Sequence, residues 1–178
     1  MLDLPAYIVG TYFGAQTAAF EVGLAFLFIY IYKKVEIKDA MSYGVTLAFT
    51  ENGIMVGIVS LISGVINMAL LPYYPPLMRS LVLSEANIPY IYDLYHTMDR
   101  ISSFLLHTAW GSSAVLYYIT KEKLYLLVFI AGFLADFLAG LYIVKSINCL
   151  LLVLLALTLG IISFIPVYVS LRHKTINR

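Results

Sequence analysis

Four ionisable side chains interrupt apolar stretches of this sequence, and their types could support chemistry. They are Glu21, Glu51, His107 and Asp136. An ionised group near a bilayer centre costs roughly 2.5 kcal/mol or more, so such groups normally face a partner, a cavity or a metal. Together they could hold a divalent metal, relay protons or bind a coupling ion, or neutralise one another as a structural polar core.

The four groups are predicted to lie at similar depth in a membrane. With about 1.5 Å of helical rise per residue, Glu21 and Glu51 come out roughly 16 Å from the cytoplasmic border. The same count places His107 and Asp136 roughly 18 to 20 Å from it. This agreement predicts one polar layer in which the four side chains meet, although equal depth does not fix the direction in which each one points.

Two further polar residues could assist them. Arg100 keeps its positive charge, so it could pair with Asp99 or a deeper carboxylate, or polarise a substrate carbonyl. Asn52 is predicted chiefly to bond a neighbouring helix, with stabilisation of an oxyanion as the alternative. The sequence has no His-Glu-x-x-His segment and no Gly-x-Ser-x-Gly segment. The pattern of soluble zinc proteases and that of serine hydrolases are therefore absent.

The composition is that of an integral membrane protein. Apolar residues make up 62% of the 178 residues and charged residues 12%, with a mean hydropathy of +0.91, which is far from the balance of a soluble domain. Because the net charge is only +1, no nucleic-acid partner is expected. The lone Cys149 excludes a disulfide framework and a cysteine metal site. We expect a multi-pass protein of the cell membrane, with the lipid bilayer as its partner.

The elements that must position the polar groups are helices. A span needs about 20 apolar residues, and five continuous apolar stretches qualify: residues 4–32, 40–71, 97–120, 124–144 and 148–171. The predicted fold class is therefore all-α, a polytopic bundle of about five transmembrane helices in a single domain over residues 1–178. The connection 72–96 is predicted to be a surface loop with a short interfacial helix at 77–83, or a lid over the polar face.

Basic residues cluster on one side of the predicted bundle. Eight of them follow the first, third and fifth spans: Lys33, Lys34, Lys38, Lys121, Lys123, Arg172, Lys174 and Arg178. The opposite side has only Arg79, Arg100 and Lys145. Because basic loops stay in the cytoplasm, the N-terminus is predicted to lie outside and the C-terminus in the cytoplasm.

Four short motifs carry a family resemblance. They are Phe20-Glu21, YGVTLAFTEN at 43–52, DRISSFLLH at 99–107 and ADF at 135–137. In this order they resemble the YhfC-type intramembrane metalloproteases, which are similar to the CAAX-prenyl protease and abortive-infection group. The resemblance extends over about residues 14–140. The chain departs from the family pattern at four positions, where a glutamate, an arginine, a histidine and a second glutamate are replaced by Val22, Ala25, Leu47 and Asp99.

The resemblance implies a metal-dependent intramembrane peptidase, or a degenerate relative without activity. A divalent metal, with zinc as the expected ion, would be held by His107 with Glu51 or Asp136. Glu21 would act as general base on the bound water, and Glu51 would count among the catalytic carboxylates as well as the ligands. The substrate would be a peptide, a lipidated peptide or a membrane protein.

The same resemblance gives roles to the remaining polar residues. Arg100 or Asn52 would stabilise the oxyanion that forms during hydrolysis. Two other functions stay open on the sequence. One is a structural or accessory subunit that binds a partner membrane subunit, and the other is a small proton-coupled transporter.

Overall fold

The computed structural model describes residues 4–176, and it is helical almost throughout that range. Six helices follow one another: α1 Ala6–Tyr32, α2 Asp39–Tyr73, α3 Pro76–Ala86, α4 Tyr90–Thr120, α5 Lys123–Ile143 and α6 Cys149–Ile176. The described residues contain no β-strand. The predicted all-α class is therefore confirmed.

Two helices change their pitch where polar residues interrupt the apolar sequence. α1 becomes a π-helix over Thr17–Val22, the segment that contains Glu21. α2 does the same over Thr50–Ile58, which contains Glu51 and Asn52. π-helical turns are rare, and they are found frequently at functional sites. The backbone thus departs from α-helical geometry at the residues that the sequence singles out.

Four helices are long and apolar enough to cross a membrane. They are α1, α2, α5 and the part of α6 that ends at Arg172. This confirms that the protein has the character of an integral membrane protein. α4 is 31 residues long and contains the predicted third span, but it is not among the four because its charged and hydroxyl side chains lower its hydropathy.

α4 is nonetheless the central helix of the bundle. It packs against α1, α2, α5 and α6, and every residue from 106 to 116 is buried. Ser112 Oγ donates a hydrogen bond of 3.0 Å to the Ala40 carbonyl oxygen of α2. A helix that directs its polar side chains toward other helices does not need an apolar surface. Hydropathy alone therefore does not identify α4 as a membrane helix.

Paired glycines allow two close helix crossings. A Cβ atom added to Gly111 of α4 would lie 2.7 Å from the Cα of Gly44 in α2. A Cβ atom added to Gly140 of α5 would lie 2.7 Å from the Cα of Gly10 in α1. No side chain fits at such distances, which is the usual reason for small residues at helix interfaces in membranes. The crossings hold α2 against α4 and α1 against α5.

The second half of α2 projects from the bundle, and no residue from 54 to 70 is buried. The connection that follows contains α3, which confirms the short helix predicted at 77–83, although the observed helix is longer. α4 then begins at Tyr90, seven residues before the predicted span. The predicted orientation stays a prediction. It counts Arg178, which lies outside the described residues, and Lys174, whose side chain is not described.

Candidate acid–base site

α1 and α4 bring a carboxylate and an imidazole together. Glu21 Oε2 lies 3.4 Å from His107 Nε2. The His107 side chain is 9% exposed and the Glu21 side chain 44% exposed, so the imidazole is enclosed by protein while the carboxylate reaches an open space. Two residues that the sequence predicted to meet at one depth therefore do meet.

The second imidazole nitrogen of His107 is held by its own helix. Nδ1 lies 2.8 Å from the carbonyl oxygen of Ser103 and 3.2 Å from the hydroxyl oxygen of the same residue. Because a carbonyl oxygen only accepts hydrogen bonds, we infer that Nδ1 carries a hydrogen. If the imidazole is neutral, Nε2 then has a lone pair. An ionised Glu21 carboxylate would place a second lone pair against it, and the two would repel each other. The contact therefore requires one shared proton, on the imidazole or on the carboxyl group.

Thr17 links this pair to a second carboxyl group. Its hydroxyl oxygen lies 3.3 Å from Glu21 Oε1 and also within hydrogen-bond distance of Asp136 Oδ2 on α5. A hydroxyl group has a single hydrogen, so it can donate to only one of the two acids at a time. The other contact is a hydrogen bond only when that acid is protonated and donates to the hydroxyl oxygen. Thr17 thus connects two acids that can exchange protons.

A cavity of about 100 Å³ lies beside these groups. Its polar lining consists of side chains from α1, α4 and α5, including Glu21, Asp99, Arg100, His107 and Asp136. A water molecule needs roughly 10 to 15 Å³ of such volume, so the cavity has room for several waters or for one small polar group. Trp110 closes one side, with its ring centroid 4.4 Å from that of His107.

Arg100 joins the cavity to a second space. Its Nη2 atom lies 2.5 Å from Asp99 Oδ2, and its Nη1 atom donates to Asn52 Oδ1 at 3.4 Å. Arg100 also lines an apolar groove of about 360 Å³, together with residues such as Ile101 and Phe104. Ile101 is 51% and Phe104 37% exposed, so the groove opens on the outer surface of the bundle. The guanidinium group therefore lies between a polar cavity and an apolar, outward-facing groove.

Both ends of the Asn52 amide are already engaged. Its Oδ1 accepts the bond from Arg100, and its Nδ2 donates to the Ala48 carbonyl oxygen at 3.1 Å. The amide thus orients the guanidinium group and ties it to α2. This agrees with the helix-bonding role that the sequence favours for Asn52, and it leaves Arg100 as the better placed of the two to meet an oxyanion.

Glu51 does not join the cluster. The side of α2 that faces α4 is formed at four-residue intervals by Ala40, Gly44, Ala48 and Asn52. Glu51 comes one residue before Asn52, and successive residues of an α-helix are turned by about 100° around its axis, somewhat less in the π-helical turn that contains these two. It does not line the 100 Å³ cavity, and over residues 4–176 no hydrogen bond or ion pair of its carboxylate is found.

The described residues do not form the set of ligands that the resemblance implies for a divalent metal. A zinc site takes at least three protein ligands, and the described part of the chain contains no group of three His, Cys, Asp or Glu side chains that could hold a metal. Of the predicted set, Glu51 lies outside the cluster, and Asp136 is joined to it through Thr17. We therefore assign no reaction step to a metal, and the zinc ion stays a prediction.

Sequence reasoning did not assign a role to Thr17 or Ser103, which complete the site. Each lies four residues before the group that it contacts, namely Glu21 and His107. Residues four apart are neighbours on a helix surface. The four-residue spacing in the sequence already places Thr17 on the face of Glu21 and Ser103 on the face of His107, but it does not show what each hydroxyl group bonds.

Comparisons of the chain with protein-family models, with curated proteins and with solved structures found no match. Membership of the YhfC-type family stays a prediction.

Proposed function

We propose that this protein is a membrane-embedded hydrolase in which Glu21 and His107 act together as an acid–base pair. The observation that supports the proposal is the 3.4 Å contact between Glu21 Oε2 and His107 Nε2, beside a cavity large enough for water. A carboxylate and an imidazole that share one proton can accept a second from water and return it to a leaving group. Positioned acid–base groups of this kind contribute about 10² to 10⁴-fold to a rate.

In the proposed reaction, water in the cavity attacks a carbonyl carbon of the substrate. The water oxygen forms the new bond, and its proton passes to the Glu21–His107 pair. The proton then passes from the pair to the leaving nitrogen or oxygen as the scissile bond breaks. The guanidinium group of Arg100, held by Asp99 and Asn52, is the donor that stabilises the oxyanion.

We propose that the substrate is a peptide or lipidated peptide that reaches the site from the membrane. Support comes from the groove of about 360 Å³ that shares Arg100 with the polar cavity. An apolar segment in the groove would place a neighbouring carbonyl group beside the guanidinium. The groove walls at Ile101 and Phe104 would contact the apolar part of the substrate.

We also propose that α4 crosses the membrane in addition to the four candidate helices, which brings the number of spans to five. The N-terminus would lie outside and the C-terminus in the cytoplasm. The uninterrupted burial of residues 106–116 supports this, because the other helices shield the polar side chains of α4 from lipid. The basic residues at the end of α1 and after α4 then lie on one side, as the positive-inside rule requires.

The function is tested with the purified protein in vesicles. The probes are single-span peptides with a lipidated C-terminal cysteine, and the products are identified by mass spectrometry. Glu21→Gln and His107→Gln each remove one of the two groups that take up the proton of water, so each should slow cleavage by about 10²-fold or more. Glu51→Gln is the matched control, because it changes a glutamate of similar predicted depth outside the cavity, and it should leave the rate unchanged. Cleavage by Glu21→Gln at the wild-type rate, or no cleavage by folded wild-type protein, would refute the proposal.

A second function, an accessory subunit of a membrane complex, is favoured by α2. Residues 54–70 include no buried position, so a long apolar helix surface is available to another membrane protein. This function predicts a partner of fixed stoichiometry in native mass spectrometry, together with unchanged behaviour of the complex on Glu21→Gln.

A further inference from the structure

A second large cleft lies between the end of α1 and the beginning of α2. Its volume is about 670 Å³, and it is separate from the Glu21–His107 cavity because the two share no lining residue. The apolar walls come from both helices and include Phe28, Ile29, Tyr43 and Leu47. Lys34 and Asp39 lie at one end of the cleft. The floor is firm, since Ile29 is 4% exposed and the Tyr43 hydroxyl donates to the Ala25 carbonyl oxygen at 3.1 Å.

The charged end of the cleft must lie at a membrane surface. Residues 33–38 connect α1 and α2, which are both candidate spans, so this connection emerges from the bilayer whichever side is cytoplasmic. The cleft continues along α2 as far as Thr50. That residue is eleven positions after Asp39, or roughly 16 Å along the helix. The cleft therefore reaches from the headgroup level to about half of the hydrocarbon thickness of about 30 Å, which is the depth of one leaflet.

Lys34 and Asp39, which carry opposite charges at this end, do not neutralise each other. No ion pair joins Lys34 and Asp39, whereas Lys38 pairs with Glu36 at 3.0 Å. One carboxylate oxygen of Asp39 accepts the backbone N–H of Glu36 at 2.7 Å, which leaves its other oxygen for a further donor. Within residues 4–176, no hydrogen bond or ion pair of the Lys34 ammonium group is found. The cleft thus offers one cation and one carboxylate above an apolar interior.

We propose that this cleft binds a zwitterionic phospholipid with a primary ammonium headgroup, of the phosphatidylethanolamine class. Lys34 pairs with the phosphate, and the ammonium group donates to the free carboxylate oxygen of Asp39. One acyl chain occupies the space between Phe28 and Leu47. A choline headgroup has no N–H to donate to Asp39, and a glycerol headgroup brings no cation to compensate the charge of the Asp39 carboxylate. The two charges therefore select the ethanolamine headgroup over both.

The experiment is native mass spectrometry of the delipidated full chain in detergent. The probes are phosphatidylethanolamine, phosphatidylcholine and phosphatidylglycerol with identical acyl chains. We expect preferential retention of phosphatidylethanolamine, and we expect Lys34→Gln and Asp39→Asn each to reduce that preference by roughly fivefold. Lys121→Gln is the matched control. Lys121 lies at another helix connection, 4.5 Å from the Tyr118 ring centroid and away from the cleft, so its substitution should change nothing.

Circular dichroism shows whether a charge substitution disturbs the fold. A third variant tests the site without changing either charge. Leu47→Trp fills the apolar part of the cleft, leaves both charges in place and should displace the lipid. Equal retention of the three lipids, stronger retention of phosphatidylglycerol, or identical behaviour of Lys34→Gln and Lys121→Gln would each overturn the proposal. Hydrolysis of peptide probes plays no part in this readout, so the lipid site stands or falls independently of the proposed hydrolase.

Discussion

The crossing of α1 and α5 gives a quantitative prediction, because the space between the two backbones is known. In Gly140→Ala, the new methyl carbon would lie 2.7 Å from the Cα of Gly10, 3.0 Å from its nitrogen and 3.0 Å from the Val9 carbonyl oxygen. All three neighbours are backbone atoms, so none can move aside by a change of rotamer. The two helices must separate.

The size of the effect follows from that geometry. Carbon atoms pack at about 3.5 to 4.0 Å, so the helices must move apart by about 1 Å. Overpacking of this kind costs about 1 to 3 kcal/mol. The same movement stretches the contact between Thr17 of α1 and Asp136 of α5. Because alanine also favours a helix by about 1 kcal/mol over glycine, we expect Gly140→Ala to destabilise the protein by up to about 2 kcal/mol and to loosen the contact between Thr17 and Asp136.

The assay is unfolding in mixed detergent micelles, followed by the loss of helical circular dichroism as the fraction of sodium dodecyl sulfate rises. Gly64→Ala is the control, because a methyl group there has no neighbour within 4 Å. That variant should not lose stability, since alanine favours a helix by about 1 kcal/mol over glycine. Equal midpoints for Gly140→Ala and Gly64→Ala would refute the tight crossing.

Three shorter predictions follow from the site and the bundle. Trp110 is the only tryptophan and its ring lies beside that of His107, so its fluorescence should change in His107→Gln and should match the wild type in Glu51→Gln, whose side chain lies outside the cavity. If α4 spans the membrane, cysteines placed at Ser80 and Lys121 in a Cys149→Ser background should react with an impermeant reagent from opposite sides, whereas labelling from one side would exclude the span. If Glu21 and His107 act without a metal, as in the proposed reaction, purified protein should contain far less than one zinc ion per chain and chelators should not change its unfolding midpoint. Stoichiometric zinc that is lost on His107→Ala would contradict this.

The position of most helices could be predicted because a helix needs an apolar run of about 20 residues to cross a bilayer. α1 ends at Tyr32, as predicted, and α6 begins one residue after the predicted start. α4 was harder to delimit. Its first turns carry residues such as Asp93 and His96, so the predicted span starts only at 97 although the helix begins at Tyr90.

The candidate site was predicted in part, and the part that differs has a geometric cause. Helical rise alone placed Glu21, His107 and Asp136 in one layer, and these three share one cavity. Glu51 has a similar predicted depth but a different direction, because its neighbour Asn52 occupies the side that faces α4. Depth follows from counting residues, whereas direction depends on which face of the helix packs, and the glycine crossings that decide this are visible only in the structure.

The length of α2 also bears on the shape of the surrounding bilayer. Its 35 residues extend over about 52 Å, whereas the hydrocarbon layer is about 30 Å thick. A straight rod would need an inclination of about 55° to submerge fully, beyond the usual 0 to 40°. A bend at the π-helical segment Thr50–Ile58, with the second half running obliquely under the headgroups, would relieve the hydrophobic mismatch. A straight α2 would instead have to thicken the bilayer on that flank, which would favour the protein in thicker membrane regions.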